Sequence, residues 1–413
     1  MPVRRFPTDA SAAEIRSLSK APPSEAVAAI IANVQSAGND AVLGYEREFA
    51  GPDISPPTSV AVVEPQQLQL ALSALDPELR AAIELAVTNV RTVAQATVLS
   101  EVKLELAQGQ SVDLRSVAVG SAGVYVPGGR GSYPSTAVMC IVAAQAAGVE
   151  RIVVVSPVRE HGEVDHTVLA VCELLGVGEV YPIGGAQAVA ALALGTETVA
   201  PVDLVVGPGN AFVQEAKRQL IGRIGIDGVA GPSELVVVAD HSANARHIAL
   251  DLQAQAEHGP DSLVVVISND PVMLDQIADE VGDISAELAI ALTRDLPAAV
   301  ALADAIAPEH LQIACQQPLA DELARSVTRA GCLFVGHNAA TAFGDYVAGS
   351  NHVLPTGGAA RFTSALSGAT FMRRMAQVSI PDGGLESLSQ AGAAIAAAEG
   401  FNIHGQSMTE RAK

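Results

Sequence analysis

Several short stretches of this 413-residue chain carry side chains suited to metal binding or proton transfer. In Gln255-Ala-Glu-His258 an amide and an imidazole stand three positions apart, so on a helix they share one face. Gly259-Pro260 then reads as a helix stop, which places both groups at the end of an element. Asp345 and His352 add a carboxylate and an imidazole, and His404 supplies another imidazole near the C-terminus. Gln255, His258, Asp345 and His404 form a candidate nitrogen and oxygen ligand set, suited to Zn²⁺ acting as a Lewis acid with no redox role. Taken alone, a histidine near a helix end is more often a capping or solvated group, and spacing does not join these distant positions. In Ala307-Pro-Glu-His-Leu311 an acid and an imidazole are adjacent, and either could act as a general base. The plainer reading of that stretch is a helix N-terminus, with Pro308 in the first turn and Glu309 favoured by the helix dipole.

The elements that must hold these groups are those of a parallel α/β fold. Apolar runs at 151–155, 202–206, 234–239, 262–267 and 332–335 alternate with alanine-rich helical stretches. Two segments repeat one plan of strand, glycine turn and helix: 179–183 passes through Gly184-Gly185 into 186–194, and 202–206 passes through Gly207-Pro-Gly209 into 211–220. Such turns present backbone N–H groups to a phosphate. The dinucleotide fingerprint G-x-G-x-x-G is nevertheless absent, because Phe212 stands where Gly or Ala belongs. Tight turns alone would also account for these glycines. Upstream, two helices are expected at 24–37 and 40–50, with Ser24 as N-cap and Gly38 as the stop between them. A proline-rich linker spans 51–58 and a long helix 76–97, and this opening third shows no obvious chemistry. Residues 344–358 have no helical or strand period and read as a long functional loop. A final helix is expected at 385–398, followed by a polar tail with Glu399 and His404.

Composition narrows the function classes. The 24 Lys and Arg against 45 Asp and Glu leave a net charge of −21, which repels phosphate backbones and anionic lipid surfaces. Neither nucleic acid nor membrane is therefore an expected partner. The first ten residues hold arginines but no apolar stretch, and Gln145 interrupts the longest later apolar run, so a cytoplasmic protein is expected. With 49% hydrophobic and 17% charged residues the chain has a folded composition. At about 150 residues per domain its length suggests two or three domains. Cys140, Cys172, Cys315 and Cys332 form no C-x-x-C pair, so they read as small core residues and any catalytic metal must take nitrogen and oxygen ligands.

From about Val119 to the C-terminus the chain resembles the histidinol dehydrogenase family. The resemblance is carried by Gly123-Val-Tyr-Val-Pro-Gly-Gly129, Gly184-Gly-Ala-Gln-Ala188, Gly207-Pro-Gly-Asn210 and Ala230-Gly-Pro-Ser-Glu234, and further on by Gln255-Ala-Glu-His-Gly-Pro-Asp261, Ala307-Pro-Glu-His-Leu311, Gly344-Asp-Tyr and Asn351-His-Val-Leu-Pro-Thr356. It implies an NAD-dependent alcohol and aldehyde dehydrogenase that takes L-histidinol through L-histidinal to L-histidine, the last step of histidine biosynthesis. It joins Gln255, His258, Asp345 and His404 as ligands of one Zn²⁺ per subunit, which would also hold the substrate. His310 would take the alcohol proton and Glu309 would activate water. Ser233, His352 and Glu399 would contact substrate, and Tyr125, Gln187 and Asn210 would contact NAD in place of the missing fingerprint.

The implied fold is two incomplete Rossmann-like α/β domains with parallel sheets and small helical extensions at both ends. One domain is discontinuous, 1–115 with 232–375; the second, NAD-binding, spans 116–231; and 376–413 forms a small segment for dimerisation and completion of the active site. His404 would come from the partner in a domain-swapped homodimer. A related zinc and NAD dehydrogenase acting on another amino or sulfonated alcohol is the nearest alternative. A non-catalytic metabolite-binding α/β protein is the other, favoured only if Glu309 or His310 were missing, and both are present.

Overall fold

The computed structural model describes residues 3–16, 23–128, 131–159 and 162–413, so Gly129 of the 123–129 motif lies outside the described residues. The chain forms two compact units, 1–97 with 120–371 and 98–119 with 372–413.

The first unit is α/β and holds two parallel sheets. The six-stranded sheet runs in the order Arg4–Phe6, Glu287–Leu292, Leu263–Ser268, Glu234–Ala239, His310–Ala314, Cys332–Val335. Its central strand Glu234–Ala239 is buried along its whole length, as expected of a strand covered by helices on both faces. The five-stranded sheet runs Glu179–Tyr181, Arg151–Val155, Ser121–Tyr125, Leu204–Val206, Gly225–Ile226. The helix Pro134–Ala147 beside it is apolar on nearly every face and buries ten of its residues. Cys140, Cys172 and Cys315 are buried and Cys332 is half-buried, all as free thiols.

Local chemistry sets several helix ends. Asp76 caps Pro77–Ala96 by accepting from the N–H groups of Glu78 and Leu79 at 2.9 and 3.1 Å, with Pro77 in the first turn. The two helices expected at 24–37 and 40–50 form one element, Ser24–Phe49, bent where Gly38 takes φ 52° and ψ −128°. Ser24 is not its cap: Pro23 occupies that position and no side chain closes the end. The run 344–358 is not wholly irregular, because Gly344, Asp345 and Tyr346 complete the short helix Thr341–Tyr346.

The second unit has an antiparallel three-stranded sheet in the order Met372–Ser379, Ser111–Ala118, Val102–Glu105, with the helices Asp382–Ala398 and Asn402–Thr409. Residues 400–413 are therefore not a bare tail, since His404 sits on a helix of its own. Among the described residues no helix is long and apolar enough to cross a membrane.

Candidate active site

The strands of the six-stranded sheet bring the acid and base candidates to one edge. His310 opens the strand His310–Ala314, Glu234 opens its neighbour, and His310 pairs in register with Leu235 and Cys332. The helix-start reading of Pro308-Glu309-His310 is thus overturned. The preceding helix Leu296–Ile306 ends on Ala307 at φ 51°, a left-handed turn, and the chain then extends into the sheet. Gly331 makes room for this turn, because a Cβ there would lie 2.6 Å from the Glu309 carbonyl oxygen.

At this amino edge two carboxylates cap each other's backbone. The N–H of Glu234 donates to Glu309 Oε2 at 2.8 Å, and the N–H of Glu309 donates to Glu234 Oε2 at 3.2 Å. Glu234 also accepts from the Arg16 guanidinium at 3.2 Å and from the N–H of Gly357 at 3.0 Å. Among the described residues no guanidinium or ammonium pairs with Glu309. It is 7% exposed, and burial pushes its carboxyl well above the usual range, with His310 pulling the other way. His310 is 4% exposed. Its Nδ1 faces the Glu234 carbonyl oxygen at 3.1 Å, and Nε2 lies 3.7 Å from Asp345 Oδ1. Donation from Nδ1 to that carbonyl leaves Nε2 as the basic nitrogen of the neutral ring. Burial disfavours the imidazolium, but Glu309, Asp345 and the Glu234 carbonyl outweigh it and raise the histidine. The ring also packs on Phe334, centroids 5.9 Å apart.

The ligand candidates of the first unit converge on the same edge. Because a crossover helix runs antiparallel to the strand it follows, the helix Ala245–Glu257 returns from strand Glu234–Ala239 with Gln255 in its last turn and His258 as its C-cap. His258 interacts electrostatically with both Asp345 and His310. Burial would raise Asp345, but the neighbouring imidazoles of His310, His352 and His258 outweigh it and hold its carboxyl below the ordinary value. His352 faces the Asp345 carbonyl oxygen through Nδ1 at 2.9 Å and Thr136 Oγ1 through Nε2 at 3.1 Å. Ser233 is half-buried and directly precedes Glu234. Glu399, exposed, caps the helix Asp382–Ala398, and His404, exposed and 5.2 Å from the Phe401 ring, sits on Asn402–Thr409, both in the second unit.

Does this set fit a zinc ion? Gln255 is 4% exposed and its amide Nε2 has no hydrogen-bond partner among the described residues. Turning that amide over would put an unused carbonyl oxygen at the same place. With the His258 imidazole and the Asp345 carboxylate it offers the mixed nitrogen and oxygen donors that Zn²⁺ accepts. No group of three or more His, Cys, Asp or Glu residues assembled for a metal occurs among the described residues. The donors of the first unit fit the ion in kind and still need a further ligand.

The cofactor candidates stand at the carboxyl edge of the five-stranded sheet, where open α/β sheets bind ligands. Tyr125 ends its strand, and its hydroxyl accepts from the N–H of Gly185 at 3.0 Å. Gln187 is buried in the first turn of Gly185–Leu194. Asn210 caps Ala211–Gln219, its Oδ1 accepting from the N–H groups of Phe212 and Val213 at 3.0 and 3.1 Å. That leaves its NH₂ for a ligand. The glycine turns do not offer all their N–H groups to a phosphate: Gly184 donates to Glu46 at 2.8 Å and Gly207 to Asp227 at 2.8 Å.

Glu46, Arg16, Lys217 and Asp227 are the residues the sequence reading missed. Glu46 had a signal: it stands four positions after buried Val42, so an acid occupies the apolar stripe of its helix. Arg16 reaches Glu234 from a short helix in the N-terminal segment, across a sequence distance that no local pattern spans.

Comparison with known proteins gives consistent results. The family profile described as histidinol dehydrogenase matches residues 15–412. Histidinol dehydrogenase from Rhodospirillum rubrum is 40% identical over 94% of this chain and 92% of its own. That from Zymomonas mobilis is 41% identical over 93% of this chain and 92% of its own. The crystal structure of histidinol dehydrogenase from Elizabethkingia anophelis superposes with a TM-score of 0.91 at 28% identity, covering 99% of this chain and 98% of that one.

Proposed function

The chain belongs to the histidinol dehydrogenase family, NAD-dependent oxidoreductases of the last step of histidine biosynthesis, and from that premise we propose that Glu309 and His310 carry out its proton transfers on L-histidinol. The observation that supports this reading most is the buried pair at the amino edge of the six-stranded sheet, with Asp345, His258 and His352 gathered around it. NAD⁺ when bound accepts a hydride in each of two oxidations, and Zn²⁺ when bound supplies Lewis-acid fixation of the substrate's imidazole and amine. Gln255, His258 and Asp345 would hold the metal, with His404 of the partner subunit as the further ligand, and the same residues would border the substrate.

His310 Nε2 takes the hydroxyl proton as the first hydride leaves, giving L-histidinal. The positive ring that results is favoured by Glu309 at 3.6 Å and Asp345 at 3.7 Å. Glu309 then takes a proton from water as its oxygen adds to the aldehyde carbon. The protonated His310 returns its proton to the aldehyde oxygen to complete the hydrate, which then loses the second hydride while a hydroxyl proton passes again to His310, giving L-histidine. A carboxyl raised by burial suits that role, because it is a stronger base than an exposed one. Ser233, His352 and Glu399 contact substrate in this reading, and Tyr125, Gln187 and Asn210 contact NAD⁺. The His352 ring is held between the Asp345 carbonyl and the Thr136 hydroxyl.

With L-histidinol limiting, two NADH should form per substrate consumed, turnover should vanish on chelation and Zn²⁺ should restore it. Calorimetry should show the chelated protein losing L-histidinol while still binding NAD⁺. No turnover by folded, zinc-loaded protein would redirect the reading to another alcohol, and Ser233 and Glu399 would be the first contacts to reassign.

We further propose that the active site is shared between two subunits of a homodimer, His404 acting across the dimer. Mixing inactive His404→Asn chains with inactive His258→Asn chains should then recover roughly a quarter of the normal activity after random re-pairing, since one site of each heterodimer is intact. No recovery despite demonstrated subunit exchange would put all the ligands of a site in one chain.

A further inference from the structure

Gln187 is tied to a residue from far upstream in the chain. Its Nε2 donates to Glu46 Oε1 at 2.9 Å, and the same oxygen accepts from the Gly184 N–H at 2.8 Å. Both side chains are buried, Glu46 at 7% and Gln187 at 3% exposure. Burial raises the Glu46 carboxyl, and the hydrogen bonds from Gly184 and Gln187 oppose it by favouring the charged form. As a carboxylate it can only accept here, so the amide turns its NH₂ toward Glu46 and its carbonyl oxygen away. That oxygen, Gln187 Oε1, is buried and has no hydrogen-bond partner among the described residues. It points at Gly185, where φ is +63° and where a Cβ would lie 2.5 Å from it. Because Gly185 carries no Cβ, no side chain of its own fills that space. A buried acceptor without a donor is costly, and a ligand that brings a donor relieves the cost.

Resting on the reading that Gln187 contacts NAD⁺, we infer that Glu46 is a specificity-determining positioning residue that makes Gln187 present an acceptor to a hydroxyl or amino group of the cofactor's adenosine half. The adenosine half is the one at issue because the proton-transfer pair, which must stand beside the nicotinamide, belongs to the other sheet. The same arrangement works against a phosphorylated cofactor. A phosphate has no proton to give Oε1 at neutral pH, and the Glu46 carboxylate behind the amide repels it.

The test is calorimetric binding of NAD⁺ in the absence of L-histidinol, by the wild type, Glu46→Gln, Gln187→Ala and the double variant. Glu46→Gln keeps the shape but lets either amide turn over, so NAD⁺ should bind about tenfold more weakly. If Glu46 acts through Gln187, the double variant should bind no worse than Gln187→Ala alone. Additive losses, or unchanged affinity in Glu46→Gln while Gln187→Ala is impaired, would overturn the inference and leave Glu46 a packing residue. Unchanged affinity in Gln187→Ala would instead remove Gln187 from the cofactor site, and the inference with it. Should Glu46→Gln not fold, the wild type still decides through its ligands. NADP⁺, which blocks a ribose hydroxyl, or nicotinamide hypoxanthine dinucleotide, which replaces the adenine amino group by a carbonyl, should bind at least about tenfold more weakly than NAD⁺. Whichever is impaired identifies the donor, and equal binding of all three dinucleotides would overturn the inference.

Discussion

Glu309→Gln should slow the oxidation of L-histidinal by about a hundredfold or more, the usual worth of a positioned base, while the oxidation of L-histidinol slows by less. The substitution is close to isosteric, and the new amide oxygen can still accept from the Glu234 N–H that Glu309 holds at 2.8 Å. The turn into strand His310–Ala314 therefore survives, and what is lost is the capacity to take a proton from water. In the proposed mechanism the first oxidation does not need that capacity, because its proton goes to His310. It is not untouched, since Glu309 is the nearer of the two carboxylates that favour a protonated His310, at 3.6 Å against 3.7 Å for Asp345. Single-turnover traces started separately from alcohol and aldehyde resolve the steps. Equal loss in both would assign Glu309 to orienting His310 and leave the activation of water to another group.

What the sequence could convey of this site depended on whether the deciding contact was local. Gln255 and His258 were legible because helical period puts them on one face and Gly259-Pro260 ends the helix beside them. Pro308-Glu309-His310 was not, because a proline followed by an acid is the ordinary mark of a helix start. Contact with Glu234, 75 residues earlier, and pairing of His310 with Leu235 lead it into a strand instead. The alternation of apolar runs and alanine-rich helices revealed the parallel sheets, since strands buried on both faces leave a continuous signature. The antiparallel sheet of the second unit left none, its strands being largely exposed or half-buried. The glycine turns were visible, but what fills them was not. Glu46 and Asp227, which take the N–H groups of Gly184 and Gly207, come from outside the motifs.

Asp227 leads to the largest expected effect on stability. Lys217 and Asp227 form an ion pair with side chains only 1% and 5% exposed, and between them they hold both backbone groups of Gly207. Lys217 Nζ donates to the Gly207 carbonyl at 3.0 Å, and Asp227 Oδ2 accepts from the Gly207 N–H at 2.8 Å. Gly207 has no alternative seat, because φ is +115° and a Cβ would press on the Tyr125 carbonyl oxygen. Removing one charge leaves the other buried and unpaired, so Lys217→Met should cost about 3–5 kcal/mol in urea unfolding, and Asp227→Asn a similar amount. Removing both charges at once should cost less than the sum, since no uncompensated ion then remains. A single-variant cost below about 1 kcal/mol would be that of a solvated pair and would contradict the burial. Because Gly207 leads through Pro208 and Gly209 to Asn210, the folded fraction of either single variant should also bind NAD⁺ more weakly. The pair thus links the packing behind the five-stranded sheet to the loop at its carboxyl edge, and the cofactor contact proposed for Asn210 would depend on a lysine whose side chain is only 1% exposed.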